Sequence, residues 1–313
     1  MKIIQITDLQ DNAAFQPSVM ALGNFDGIHI GHQGLIGRAV ELAGQLGLPA
    51  SVLTFYPHPR QVLGNSQAHA NLLTPFDEKM RVMEELGVEI VYVVHFTVAF
   101  AGLTAEEFIY GFLSRLHPQG LVVGFDYAFG RGGKADASML KDLAAEAGIP
   151  VEIVGAVNRY GEKVSSTLIR EKLSYGDARL VCELLGRPYA VTGTVIHGEK
   201  RGRLLGFPTA NIEPLDSFAL PKNGVYVVRV LVKNEWHAAV LNIGTKPTFH
   251  DQMHRSLEAH LLDFSGDLYG EAIRVEFLDF LRDEKKFFSV EELIAQIQSD
   301  VVEARSRLSL FSV

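Results

Sequence analysis

Gly23-Asn24-Phe25-Asp26-Gly27-Ile28-His29-Ile30-Gly31-His32 joins an apolar run, Val19-Met20-Ala21-Leu22, to an amphipathic stretch from Leu35 to Leu46. The apolar run reads as a buried strand and the amphipathic stretch as a helix, so the motif is a strand–loop–helix junction. His29 and His32 are three residues apart and leave a helix start on the same side. Gly23, Gly27 and Gly31 let a ligand approach the backbone. Imidazole N–H donors beside a helix N-terminus form an anion site suited to the phosphates of a nucleotide such as ATP. Two surface histidines in a turn are the plain alternative for so short a motif. The junction and the flanking Gly-x-Phe-Asp-Gly favour the nucleotide. Asn24 and Asp26, in the same loop, are placed to touch the nucleotide or its metal.

Strand-like and helix-like segments go on alternating around this junction. Ser51–Phe55, Ile90–Phe96, Leu121–Gly124 and Val151–Val154 read as strands. Pro75–Leu86, Thr104–Leu116 and Ala137–Ala147 read as helices, the second opened by Thr104 and Glu107 as a capping box. The pattern predicts an α/β fold, a Rossmann-like doubly wound parallel sheet with ligands at the carboxyl ends of its strands. Ser166–Leu185 is a helical bridge, and Gly186-Arg187-Pro188 marks a boundary between domains 1–186 and 187–313. Beyond it short strands recur between turns: Ala190–His197, Gly224–Val232, Trp236–Ile243, Leu257–Phe264 and Ala272–Phe280. They predict an antiparallel β-barrel, closed by a C-terminal helix that Ser289 and Glu292 open.

Composition narrows the function classes. The net charge of −8 leaves no footprint for nucleic acid, so an anionic small molecule must be held by local positive groups and metal ions. Cys182 is the only cysteine, which excludes an intrachain disulfide and a CxxC metal site; a buried helical position suits it. No leader pattern opens the chain and no apolar run approaches the ~18 residues of a membrane span. A cytoplasmic protein with no membrane segment is expected.

Three further stretches carry chemistry. Ser165-Ser166-Thr167 with Arg170 one turn on places hydroxyls and a guanidinium at a helix start, either a second phosphate grip or a plain cap. Gly124-Phe125-Asp126-Tyr127-Ala128-Phe129-Gly130 ends a strand with aromatics that clamp a flat ring or only pack. Gly198-Glu199-Lys200-Arg201-Gly202-Arg203-Leu204-Leu205-Gly206-Phe207-Pro208-Thr209-Ala210-Asn211 is glycine-rich and basic but lacks the Gly-Lys-Ser/Thr of a P-loop. It reads as a basic surface hairpin, except that Thr209 and Asn211, two apart on one strand face, are neutral oxygen donors suited to Mg²⁺ with phosphates.

The first-domain motifs resemble the nucleotidyltransferase superfamily. They are similar in particular to the adenylyltransferase half of prokaryotic FAD synthetases, which also share Thr54-Phe55-Tyr56-Pro57-His58-Pro59 and Ser-Ser-Thr-x-x-Arg. Tyr56 stands where those proteins commonly have Asp. His29-Ile30-Gly31-His32 also spells the signature of class I aminoacyl-tRNA synthetases. Pro208-Thr209-Ala210-Asn211 after a glycine loop resembles riboflavin kinases. So do Asn242-Ile243-Gly244-Thr245-Lys246-Pro247-Thr248-Phe249, Glu258-x-His260, Asp267-Leu268-Tyr269-Gly270 and Arg282-x-Glu284-x-Lys286-Phe287.

The resemblance implies a bifunctional enzyme. The second domain would phosphorylate riboflavin to FMN with ATP, and the first would adenylylate FMN to FAD with release of pyrophosphate. It implies that His29, His32, Ser165, Thr167 and Arg170 bind ATP phosphates, with Gly23, Asn24, Phe25, Asp26, Gly31 and Asp126 around the nucleotide and flavin phosphate. In the kinase it assigns Gly198, Lys200, Gly202, Arg203, Gly206, Pro208 and Arg282 to ATP and flavin, Thr209 and Asn211 to Mg²⁺, and Glu258 as the base. Flavoprotein apoenzymes are the expected FAD recipients. The rivals are another small-molecule nucleotidyltransferase, a synthetase-like protein (which should carry a Lys-Met-Ser-Lys-Ser-like loop), and a flavin-binding regulator with decayed catalysis.

Overall fold

A computed structural model describes residues 1–7, 15–64, 71–198, 202, 205–247 and 253–309. They form two compact units, Met1–Ser166 and Thr167–Val313. In the first, β1 (Lys2–Ile6), β2 (Ser18–Leu22), β3 (Ala50–Tyr56), β4 (Ile90–His95), β5 (Pro118–Gly124) and β6 (Val151–Val154) make a six-stranded sheet in the order β1-β4-β3-β2-β5-β6. Every pairing in it is parallel. Such a sheet is covered on both faces, and side-chain alternation along β2 shows how. Val19 and Ala21 pack with α1 (Ile30–Leu46) and α2 (Phe76–Glu85). Met20 and Leu22 pack on the other face with Phe108, Phe112 and α3 (Ala137–Glu146).

The chain builds outward from β2 through β3 to β4 on one side, then crosses to β5 and β6 on the other. The carboxyl end of β2 is therefore the switch point at which a crevice opens. Gly23–His32 leaves the sheet there.

Two helices differ from the sequence reading. Helix α1 begins at Ile30 rather than Leu35, because His29 caps it. Thr104–Leu116 is not one regular helix. Its reciprocal cap forms, Thr104 N donating to Glu107 Oε2 (2.8 Å) and Glu107 N to Thr104 Oγ1 (3.2 Å). The winding then widens to a π-helix over Glu107–Phe112 and tightens to 3₁₀ over Leu113–Leu116. Gly111 loosens this turn, and the Ser114 hydroxyl donates to the Ile109 carbonyl at 2.8 Å.

The second unit has α5 (Ala178–Leu185) following α4 (Ser166–Tyr175), the break falling at Gly176 (φ +82°) and at Asp177, which caps α5. Cys182 is half-buried on α5, where burial pushes its thiol pKa up. Strands β7 (Tyr189–Ile196), β8 (Ala210–Pro214), β9 (Gly224–Val232), β10 (Glu235–Pro247), β11 (Met253–Leu261) and β12 (Ala272–Arg282) close a barrel in the order β7-β8-β11-β10-β9-β12. All its pairings are antiparallel. Tyr226, Val228, Leu241, Leu257, Ala259 and Phe277 are buried, alternating with Val225, Val227, Val240 and Leu278, which pack against Ala304 and Leu308 of α6 (Val290–Leu308). One set fills the barrel and the other seats the helix. Ser289 Oγ accepts from Glu292 N at 3.2 Å to cap α6.

Candidate functional site

In the first unit the Gly23–His32 turn is held in a conformation that few residues choose. Phe25 (φ +50°) and Ile28 (φ +39°) are left-handed, as is Gly27 (φ +92°). For a β-branched residue such as Ile28 this costs of order 1–3 kcal/mol, so neighbours must impose it. They do so with many bonds. The Asp26 carboxylate accepts from Leu73 N (2.9 Å) and Thr74 N (3.1 Å), while Gly27 N donates back to Thr74 Oγ1. The Asn24 carbonyl accepts from Thr54 Oγ1 (3.2 Å) and from the buried Lys79 Nζ (2.8 Å). Ser166 Oγ donates to the Asp26 carbonyl at 2.7 Å, and Gln33 Nε2 to that of Ile28 at 2.9 Å.

The product of this clasp is the histidine pair. His29 is the N-cap of α1, its Nδ1 accepting from His32 N at 3.3 Å. The His29 proton therefore sits on Nε2, free to donate. The rings are stacked, centroids 3.7 Å apart and 16° from parallel. Gly31 permits this, since a Cβ there would come 3.2 Å from the His29 ring. His32 Nδ1 is buried and makes no hydrogen bond among the described residues. Burial lowers the His29 pKa to about 4, against opposing pulls from Asp126 and Asp26. Burial, His29, Lys79 and Lys163 together hold His32 well below its usual value. The pair is thus neutral at pH 7, a set of N–H donors at the positive end of a helix.

The other residues singled out around this turn divide by what they touch. The Asn24 side chain is exposed at the turn. Phe25 is buried in the core, its ring lying over Gly23 and edge-on to His32 at 5.3 Å. Asp126, at the end of β5, is bridged by Lys163 Nζ at 2.5 Å, and that ammonium also lies 4.5 Å from the ring of exposed Phe125. Tyr56 is exposed and edge-on to Phe76. His58 is a cap, its Nδ1 accepting from Arg60 N at 3.1 Å. Ser165 lies just before α4, and Thr167 and Arg170 on it; the compact-unit boundary falls between Ser166 and Thr167.

In the second unit the register decides the site. Glu258 pairs directly with Asn211 on one side and with Asn242 on the other. Direct partners in a ladder present their side chains to the same face. Asn242 shares its face with Val240, so the row Asn211–Glu258–Asn242 lies on the outside of the barrel, the face that seats α6. Gly198 is pressed against this row: a Cβ there would fall 2.1 Å from Asn211 Nδ2. At Gly202 a Cβ would meet the Phe207 carbonyl at 2.4 Å and Thr209 Oγ1 at 3.3 Å. His260 Nδ1 lies 2.8 Å from the Pro208 carbonyl, an acceptor only, so it carries the proton and ties the Pro208–Thr209 segment to β11. Gly206 is left-handed (φ +85°). Lys200 and Arg203 lie outside the described residues.

Arg282 is engaged within the fold. It forms a bidentate pair with Asp300 of α6 (Nε–Oδ1 2.9 Å, Nη2–Oδ2 2.7 Å), and Nη1 donates to the Asp283 carbonyl at 3.0 Å. Asn223, absent from the sequence reading, donates to Thr245 Oγ1 (2.8 Å) and accepts from Arg255 Nε (2.9 Å) beside Glu284. Among the described residues no group of three or more His, Cys, Asp or Glu converges on a metal position. The hydroxyl of Thr209 and the amide of Asn211 remain as a neutral, hard donor pair beneath a glycine cradle, which fits Mg²⁺ shared with phosphates rather than caged by protein.

Comparison with known proteins follows the same division. Residues 11–168 match the family model for FAD synthetase, and residues 185–308 match that for riboflavin kinase. The bifunctional riboflavin kinase/FMN adenylyltransferase of Listeria monocytogenes is 44% identical over 290 residues, covering 92% of this chain and 91% of that one. The protein of the same name from Escherichia coli is 38% identical over 312 residues, 99% of each chain. A crystal structure described as a macrolide-efflux protein from Streptococcus pneumoniae superposes with a TM-score of 0.91 at 36% identity, over 97% of this chain and 99% of that one. Among the described residues no helix is long and apolar enough to cross a membrane. The chain belongs to the family of bifunctional riboflavin kinase/FMN adenylyltransferases.

Proposed function

We infer that this chain makes FAD from riboflavin in two ATP-dependent steps, one in each half. The observation that carries the reading is that both family signatures stand in one chain, in the relatives' order, each on the element its chemistry needs. The stacked histidines open a helix at the sheet's switch point, and Glu258 lies in a polar row beside the glycine cradle.

In the second half, Glu258 takes the proton of the riboflavin 5′-hydroxyl as that oxygen attacks the γ-phosphorus of ATP; the bond to the β,γ-bridging oxygen breaks and ADP leaves. Gly198, Lys200, Gly202, Arg203, Gly206 and Pro208 bind ATP and flavin. Thr209 and Asn211 hold Mg²⁺, whose charge, when bound, offsets that on the phosphates. Arg282 acts through Asp300, keeping α6 beside the Glu258 row. In the first half, a phosphate oxygen of FMN attacks the α-phosphorus of ATP and pyrophosphate leaves. His29 and His32 donate N–H bonds to the phosphates as charge builds on the leaving group. Ser165, Thr167 and Arg170 grip the phosphates, while Gly23, Asn24, Gly31 and Asp126 border the nucleotide. Phe25 and Asp26 serve by shaping the turn.

The reading places the protein in the cytoplasm, with flavoprotein apoenzymes as FAD recipients and the division of labour between 1–186 and 187–313. The test is incubation of the full chain with riboflavin, ATP and Mg²⁺, with and without a chelator, followed by separation of the flavins. FMN should appear first, FAD later, and neither under chelation. Tight flavin binding with no turnover would replace this reading by that of a flavin-binding regulator.

A further inference from the structure

Lys79 is a charge that the fold has to work to keep. It is buried in the first turn of α2, 5% exposed, on a helix whose Met80, Val82 and Met83 are also buried. Burial strips its hydration, and the helix N-terminus presents the positive end of a dipole to it. Burial lowers its pKa to about 8 while Asp26 pulls the other way, so most of it stays protonated at neutral pH. An apolar side chain would pack there without that penalty. What the ammonium does is donate, at 2.8 Å, to the carbonyl of Asn24. That carbonyl immediately precedes the left-handed Phe25, and the turn ends in His29.

We propose that Lys79 is a positioning residue for adenylyl transfer: its ammonium pins the Asn24 carbonyl, and with it the left-handed turn that presents His29 and His32 to the nucleotide phosphates. The proposal rests on the adenylyl-transfer reading of the first half. A buried cation at this point also has an electrostatic consequence for the pair. Its field opposes protonation of His32, as do those of His29 beside it and of Lys163 from the Asn158–Lys163 hairpin. Asp126 and Asp26 favour protonation of His29, and Lys163 disfavours it. Burial is the main cause of the neutral state of His32, and Lys79 adds to it.

Two variants of the full chain separate geometry from charge. Lys79→Met removes both the donor and the charge, whereas Lys79→Gln keeps an N–H donor for the Asn24 carbonyl and removes the charge. Conversion of supplied FMN to FAD is followed across about pH 5 to 9, with riboflavin phosphorylation and thermal unfolding measured on the same samples. Lys79→Met should lower kcat by about 10- to 100-fold, the scale of a small misplacement of reacting groups. Its acid limb should move to higher pH. Lys79→Gln should recover part of kcat and keep the shifted limb. A folded Lys79→Met with the parent rate and pH profile overturns the proposal. So does a rate loss in both variants with the limb unmoved, or unfolding of the first half in both while riboflavin is still phosphorylated. A parent protein that makes no FAD overturns instead the reading on which the proposal rests.

Discussion

Replacing His29 separates the cap role seen in the structure from the proposed role as phosphate donor. As the N-cap of α1 it accepts a bond from His32 N; as a neutral imidazole it offers Nε2–H to phosphate. The cap bond is long, at 3.3 Å, and histidine is not among the favoured capping residues, so losing it should cost about 0.5 kcal/mol, the low end for such caps. Losing a preorganised donor to developing phosphate charge should cost about 2.7–4 kcal/mol, or 10²- to 10³-fold in kcat. Asparagine caps helices well but brings no ring. His29→Asn should therefore unfold at or slightly above the parent temperature and still lose FAD formation by about 10²- to 10³-fold. His29→Ala should lose the same activity and unfold slightly lower. The assay is chromatographic separation of FAD from supplied FMN, with riboflavin phosphorylation in the same sample as the control for folding. A His29→Asn protein that makes FAD within about threefold of the parent rate would reduce His29 to a cap and refute the donor role.

The remaining expectations concern both halves. Glu258→Gln keeps size but accepts no proton, so FMN formation should fall by about 10²- to 10⁴-fold while FAD made from supplied FMN is unchanged; a parental kinase rate would return Glu258 to an ordinary strand residue. Asp300→Ala leaves the Arg282 guanidinium, 17% exposed, without its partner. It should cost about 3–5 kcal/mol, seen as a lower unfolding temperature of the second half and a loss of riboflavin phosphorylation. For acid stability, the unfolded chain protonates histidine near 6.5 and the folded one protonates His29 only near 4. That stability is fully present above pH 6.5 and is lost as the pH falls toward 4, by about 3 kcal/mol at its end. Denaturant titrations at stepped pH should show the slope in the parent and a shallower one in His29→Asn.

Most of the architecture was legible because burial imposes a period on the sequence. The apolar runs of β2 through β5 are largely buried on both faces and could not be hidden. What escaped had weak or conflicting signals. Lys2–Ile6 is a partly exposed edge strand with no turn signal before it, and Ala210–Pro214 is short and lies directly behind a glycine loop. Thr104–Leu116 carries a helical pattern that gives no hint of the wide turn around Gly111. At the candidate sites, the groups proposed to react were visible as motifs, whereas most of the residues that hold them were not. Thr54, Thr74, Lys79 and Lys163 lie far along the chain from the histidines and meet the site only through parallel strand order. Arg282 was read toward ATP and flavin from its motif, yet Asp300, one helix later, engages its guanidinium. Local spacing carries no record of such a partner.

The closed barrel makes the location of Glu258, the proposed kinase base, an all-or-nothing property. Glu258 reaches the outer face only because β11 pairs with β8 and β10 in one register. A shift by a single residue would exchange it with Leu257 or Ala259, driving a carboxylate into the apolar lumen and an aliphatic group out beside Asn211 and Asn242. An open sheet can relieve an inserted residue by sliding its edge strand, but a cylinder has no edge to slide. Insertions within β11 that are not absorbed by a bulge, as the register shifts between β9 and β12 are, should therefore abolish folding and phosphorylation together.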